Sequence, residues 1–157
     1  MTRRPSGAAR LGPILAVVVL DQVSKVWAVA ALSDRSISIV GSVVQLRLAR
    51  NPGGAFSLLP GSTPLLSVLA LGVVGLVARA WWRTSDRVPV LALGLVLGGA
   101  MGNLADRLFR EPGVLSGAVI DFVKVGWWPT FNVADSAITI GVAVIVGRGL
   151  IGRGTSS

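Results

Sequence analysis

The chain has 157 residues, 52% of them hydrophobic and only 14% charged, a balance that belongs to a small polytopic membrane protein and not to an ordinary soluble domain. It contains no Cys, His or Tyr, which excludes thiol and Ser-His-Asp catalysis, His or Cys zinc sites and disulfides. The net charge of +8 rests on arginines that flank apolar runs, with no aromatic-interleaved patch, so its partner is the anionic inner leaflet of a membrane and not nucleic acid.

Arg3, Arg4 and Arg10 precede an apolar run from Leu11 to about Leu32, long enough at about 1.5 Å per residue to cross a core of about 30 Å. The run imitates a signal peptide, and Ala28-Val29-Ala30 resembles a cleavage site. It is too long for an h-region, however, and carries Asp21 and Lys25, so it reads as an uncleaved first span. Asp21-Gln22-Val23-Ser24-Lys25 sets acid and base at i and i+4 on one helix face, in the favourable order. Two readings stay open: an internal ion pair that lets a charged helix insert, which is favoured, or direct catalysis by Asp21. Counted from Arg10, Asp21 lies about 16 Å and Lys25 about 22 Å into the membrane, in its outer half.

From Ser33 to about Gly61 the period changes. Ser36 to Val40 and Val43 to Leu48 alternate apolar and polar residues around Gly41-Ser42, which suits a two-residue hairpin turn and predicts a small extramembrane sheet. Asn51-Pro52-Gly53-Gly54 breaks the second strand, and residues 55 to 59 are apolar enough to lie on the bilayer surface as a short helix. Pro64 to about Ala80 is the second span. Trp81, Trp82, Arg83, Asp86 and Arg87 follow, an aromatic belt with arginines that predicts cytoplasmic termini.

Val88 to about Phe109 forms the third span, in which Gly94, Gly98 and Gly102 make a small-residue stripe for close helix packing. Asn103, Asp106 and Arg107 share a face at its upper end, and Asn103 stands about 24 Å above Arg87, level with Lys25. Asp106 and Arg107 read as a plain helix-end pair, or Arg107 as a guanidinium for a lipid phosphate or a substrate carbonyl. Residues 110 to 130 return outside. They comprise a loop from Glu111 to Gly117, a strand from Val119 to Val123 that carries Asp121, and an outer belt of Trp127 and Trp128. The fourth span covers about 131 to 147 and is closed by Arg148 and Arg153. Asn132 suits its cap, and Asp135 stands at the capping-box spacing, about 20 Å above Arg148.

Polar residues of the first, third and fourth spans, with Asp121, thus converge on one outer depth. A carboxylate beside hydrocarbon costs about 2.5 to 3.5 kcal/mol at mid-membrane on insertion scales, which makes Asp121 and Asp135 a functional pair by default. Two carboxyls in a poorly solvated site share a proton, and such a pair can deprotonate water while protonating a leaving group.

Five boxes resemble, in order, those of the lipoprotein signal peptidase (signal peptidase II) family. They are Asp21-Gln-Val-Ser-Lys25, Asn51-Pro-Gly-Gly-Ala-Phe-Ser57, Gly98-Gly-Ala-Met-Gly-Asn103-Leu-Ala-Asp-Arg107, Val119-Ile-Asp-Phe122 and Phe131-Asn-Val-Ala-Asp-Ser136. The resemblance spans nearly the whole chain. It implies a membrane all-α fold, a single domain of four spans with a small extracytoplasmic sheet and a short surface helix. The implied activity is that of an aspartyl endopeptidase of the bacterial cytoplasmic membrane, acting near the outer face as a monomer with no metal or cofactor. Its substrate would be a prolipoprotein whose lipobox cysteine already carries diacylglycerol, presented among membrane phospholipids and cut before that cysteine. The catalytic aspartates of the family fall on Asp121 and Asp135. Asn51, Asn103, Arg107 and Asn132 fall on positions that hold the substrate or order the pair, with Asp106 in the same box as Asn103. Asp21 and Lys25 fall on a supporting box. The loop from Arg110 to Gly117 is longer than expected for the family. Against this stand a proton-coupled transporter, which needs polar residues along a path, a phospholipid-modifying transferase, which needs a metal-binding acidic cluster, and a non-enzymatic assembly factor.

Overall fold

The computed structural model describes residues 6–53 and 63–153. Seven elements follow one another: α1 (Gly7–Leu32), β1 (Ile37–Val40), β2 (Val44–Asn51), α2 (Thr63–Arg83), α3 (Arg87–Phe109), β3 (Val119–Val125) and α4 (Val133–Arg153). All four helices are long and apolar enough to cross a membrane. The surface helix expected over 55 to 59 lies outside the described residues. α1 begins before the apolar run because Ser6 caps it, its hydroxyl accepting from the Ala9 N–H. α4 runs past Arg148 to Arg153, the second of the two arginines expected to close the fourth span. Arginine is a good helix former, so a charge that ends a span does not end a helix.

α3 packs against each of the other three helices. Its glycine stripe is where α1 lies: Gly94 faces Pro13 and Ile14, Gly98 faces Val17, and Gly102 faces Asp21. On another side Gly99 lets Ala134 and Ile138 of α4 approach, and Gly141 of α4 returns the fit against Ala92 and Val96. α2 is held mainly by α3 and by a contact at its C-terminal end. There the Arg10 side chain stacks 4.8 Å from the centre of the Trp81 ring and donates to the carbonyls of Trp81, Trp82 and Thr84. The expected aromatic belt therefore divides. Trp81 is buried against Ile14, Val90 and Leu97, while Trp82 is 77% exposed.

The sheet has the order β1-β2-β3, antiparallel throughout. Its first turn holds three residues, Gly41, Ser42 and Val43, between the paired Val40 and Val44, and not the two expected from sequence. Gly41 takes a φ of +51°, open to glycine, and the Val43 N–H bonds the Val40 carbonyl at 2.9 Å, which places Val43 in the turn. The strand carrying Asp121 joins the hairpin as its third member, with Asp121 opposite Ala49 and Val119 opposite Asn51. Apolar residues of the sheet cover the end of α1, where Ala28, Leu32 and Phe122 are buried against Ile37, Leu46, Leu48 and Val123. Trp27 meets Phe122 edge-on at 6.4 Å.

Past β3 the chain reverses at Gly126, and Phe131 returns to exchange hydrogen bonds with Val123. That return delivers Asn132, the residue before α4, beside the strand that carries Asp121.

Candidate active site

Asn132 is fully buried and holds the site together. Its side-chain oxygen accepts from the Asp135 N–H at 2.9 Å, and Asp135 Oδ2 accepts from the Asn132 N–H at 3.2 Å, so the capping box forms. The box explains only half of the residue. The Asn132 Nδ2 group points the other way, donating to Asp121 Oδ1 at 2.7 Å, to the Ile120 carbonyl at 3.2 Å and to Asn103 Oδ1 at 3.1 Å. One asparagine therefore bonds both aspartates, Asp121 through its amide and Asp135 through its backbone.

Each carboxylate has a second amide. Asn51, at the end of β2, donates to Asp121 Oδ2 at 3.2 Å, and its own oxygen is held by the Gly53 N–H at 3.0 Å. Asn103 of α3 donates to Asp135 Oδ1 at 2.8 Å. Asp121 is only 3% exposed. Burial, with the like charge of Asp135, pushes its carboxyl up to about 6, against the opposing pull of the Asn51 and Asn132 amides and of Lys25.

Beneath the pair lies a buried charged layer. Lys25 bonds Asp21 Oδ2 at 2.7 Å, Asp106 Oδ2 at 2.8 Å and Asn103 Oδ1 at 2.9 Å, with no exposure of either carboxylate or of the ammonium. The Asp21–Lys25 ion pair expected from the first helix is present, and it extends to a third partner on α3. The helix-end pair of Asp106 with Arg107 does not form. Asp106 bonds Lys25 and, at 2.7 Å, Arg110, and it accepts from the Ile120 N–H at 3.1 Å, fastening β3 to α3. Neighbours at i+1 diverge around a helix, whereas i+4 returns to the same face. Arg107 turns toward Gly53, and its Nη1 is buried without a hydrogen-bond partner among the described residues. Its positive charge lies near Asp121, Asp106 and Asp135.

Three contributions escape a reading of the sequence. Asp21 Oδ1 caps α4, accepting from the Ala134 N–H at 3.0 Å across 113 positions of chain. Gln22 donates to Asp21 at 3.1 Å, to the Gly102 carbonyl at 3.0 Å and to Asp106 at 3.3 Å. Its signal was available, since a neutral amide inside an apolar span has to find partners. Arg110 looked like the start of a loop. Outside the layer an open groove of about 350 Å³ runs from Asp135 along α4, lined by Trp128, Phe131, Ser136, Thr139 and Ile140. The Ser136 and Thr139 hydroxyls donate to the Asn132 and Asp135 carbonyls, which leaves the walls suited to hydrocarbon.

The family model for signal peptidase (SPase) II matches residues 13–151. The chain belongs to the signal peptidase II family. Membership makes it a membrane hydrolase of the aspartic peptidase type. Among relatives named lipoprotein signal peptidase, that of Rhodococcus jostii (strain RHA1) is 48% identical over 94% of this chain and 81% of its own length. That of Mycobacterium tuberculosis (strain ATCC 25618 / H37Rv) is 45% identical over 90% and 73%. A bacterial membrane enzyme solved by the in meso method at 2.3 Å resolution superposes with a TM-score of 0.83 at 25% identity, over 100% of this chain and 96% of its own. A second, at 1.9 Å, gives 0.79 at 27% identity, over 96% and 97%.

Proposed function

We propose that this signal peptidase removes the signal peptide of diacylglyceryl-modified prolipoproteins by cutting the peptide bond before the lipidated cysteine, with Asp121 and Asp135 as the catalytic pair. The observation that carries the reading is the shared asparagine: Asn132 bonds Asp121 at 2.7 Å through its amide and Asp135 at 3.2 Å through its backbone N–H, which ties both carboxyl groups to one residue.

The upward displacement of Asp121 to about 6 favours a proton shared within the pair near neutral pH. One carboxylate takes a proton from water as the oxygen attacks the scissile carbonyl. The other, protonated, polarises the carbonyl oxygen and then passes a proton to the departing cysteine amine. The products are a signal peptide with a new carboxyl terminus and a lipoprotein with a free amino group. No covalent intermediate forms. Arg107, beside Gly53 and with its Nη1 without a hydrogen-bond partner among the described residues, serves a substrate carbonyl or a lipid head. The groove on α4 takes hydrocarbon next to Asp135.

Both carboxylates and their amides come from one chain, which supports action as a monomer within the phospholipid bilayer. Arg79, Arg83 and Arg87 around the α2–α3 connection, with the contact of Arg10 against its carbonyls, support cytoplasmic termini and a site near the outer face. Asp121→Asn and Asp135→Asn are expected to abolish cleavage of a diacylglyceryl-modified precursor in a gel-shift assay, with the protein still folded and inserted. Full activity in either variant would refute the assignment.

A further inference from the structure

Lys25 donates three hydrogen bonds, and only two of them are ion pairs. Asp21 and Asp106 account for those two. Asp106 also has Arg110, so two cations and two carboxylates balance without any bond to a neutral group. The third N–H of Lys25 nevertheless goes to Asn103 Oδ1 at 2.9 Å. At the other end of that amide, Nδ2 faces Asp135 Oδ1 at 2.8 Å.

An amide has one accepting end and one donating end, and a half-turn about its last bond exchanges them. Here the half-turn is forbidden from both sides. It would set an NH₂ group against the Lys25 ammonium and the Asn132 NH₂, which now both donate to Oδ1, and an oxygen against the Asp135 carboxylate. We propose that Lys25 is a positioning residue of the peptidase: by fixing the Asn103 amide it keeps a donor, and never an acceptor, against Asp135. An N–H held there meets a lone pair of Asp135 Oδ1, so the amide keeps that carboxyl group in one orientation for the proton transfer. The inference rests on the aspartate pair proposed above.

The charged groups around Asp135 are Asp21 and Lys25 from α1, Asp106 and Arg107 from α3, Arg110 just beyond α3, and Asp121 from β3. Among these, Lys25 is the cation joined to Asp135 through a single amide.

The test is the pH dependence of kcat/KM for Lys25→Met combined with Asp21→Asn. The double change removes one cation and one anion, so the buried layer stays balanced, and the substituted amide oxygen can still cap Ala134. Positioning predicts that kcat falls about tenfold while KM is little changed, and that the acid limb of the profile, which reports the aspartate pair, moves. A purely structural role for the ion pair predicts a smaller folded fraction with an unmoved limb, and that result would overturn the proposal. Lys25→Gln with Asp21→Asn keeps a neutral N–H donor and is expected to move the limb by less. Should the methionine pair not fold, Lys25→Leu with Asp21→Asn takes its place as the variant without a donor, and an unmoved limb in its folded fraction again overturns the proposal. Asp121→Asn and Asp135→Asn in the same assay separate the two ideas. Activity in either removes the aspartate pair itself, whereas two inactive variants with an unmoved limb remove only the role of Lys25.

Discussion

Replacing Asp121 by Asn should remove activity and at the same time stabilise the protein, in a way that depends on pH. In the folded protein burial and the charge of Asp135 raise this carboxyl from 3.8 to about 6. Below pH 4 folded and unfolded chains both hold the proton, and the neutral acid contributes fully to stability. As pH rises through 6 the buried group ionises and that contribution is lost. At about 1.4 kcal/mol per pH unit the loss amounts to about 3 kcal/mol at pH 8. The neutral amide avoids it. It also faces two amide donors, from Asn51 and Asn132, of which its oxygen accepts from one, so about 1 kcal/mol is returned. The net gain is about 2 kcal/mol at pH 8, or about 6 °C in the midpoint of thermal unfolding for a chain of this size. Unfolding of parent and variant in the same detergent, at pH 8 and at pH 4, measures it. A variant less stable than the parent at pH 8, or an equal offset at both pH values, would refute the electrostatic account of Asp121.

Substitutions at two further positions probe the site, and one at a third serves as a control. Asn132→Ala should lower stability by about 2 to 4 kcal/mol, because a helix cap is lost and the buried Ile120 carbonyl and Asp121 oxygen lose a donor. Asn132→Ser should recover about 1 kcal/mol of this through its cap but no cleavage, as read by thermal unfolding and gel shift. Gly102→Ala would set a methyl 2.6 Å from Asp21 Oδ2, an atom pinned by Lys25 and Gln22, and should cost about 1 to 3 kcal/mol with loss of activity. Gly72→Ala on α2, where nothing lies within 4 Å, should be neutral or slightly stabilising in the same unfolding assay.

The buried layer also bears on the rival readings. Below it, α1 and α3 meet through Ile14, Val17, Gly94 and Gly98, so the polar groups form one level and not a path along the helices. A single polar level is what the peptidase reading expects and a transport path does not.

Four apolar runs, the glycine stripe and the depth shared by Asp21, Lys25, Asn103 and Asp135 were legible in the chain itself, because hydrophobic length and helical rise are one-dimensional properties. The capping box of Asn132 and Asp135 was legible for the same reason, its two partners being three positions apart. Motif order carried the family. Partnership across elements was not legible: Asp106 chose Lys25 and Arg110 over Arg107, Asp21 capped a helix 113 positions away, and the strand of Asp121 completed a hairpin 70 positions earlier. Periodicity tells which face of an element a residue occupies, but which group waits opposite depends on how closely the backbones approach. Here that approach is set by Gly98, Gly99 and Gly102, where a side chain would hold the helices apart, and it is what turns separate polar residues into one hydrogen-bonded layer beneath two aspartates.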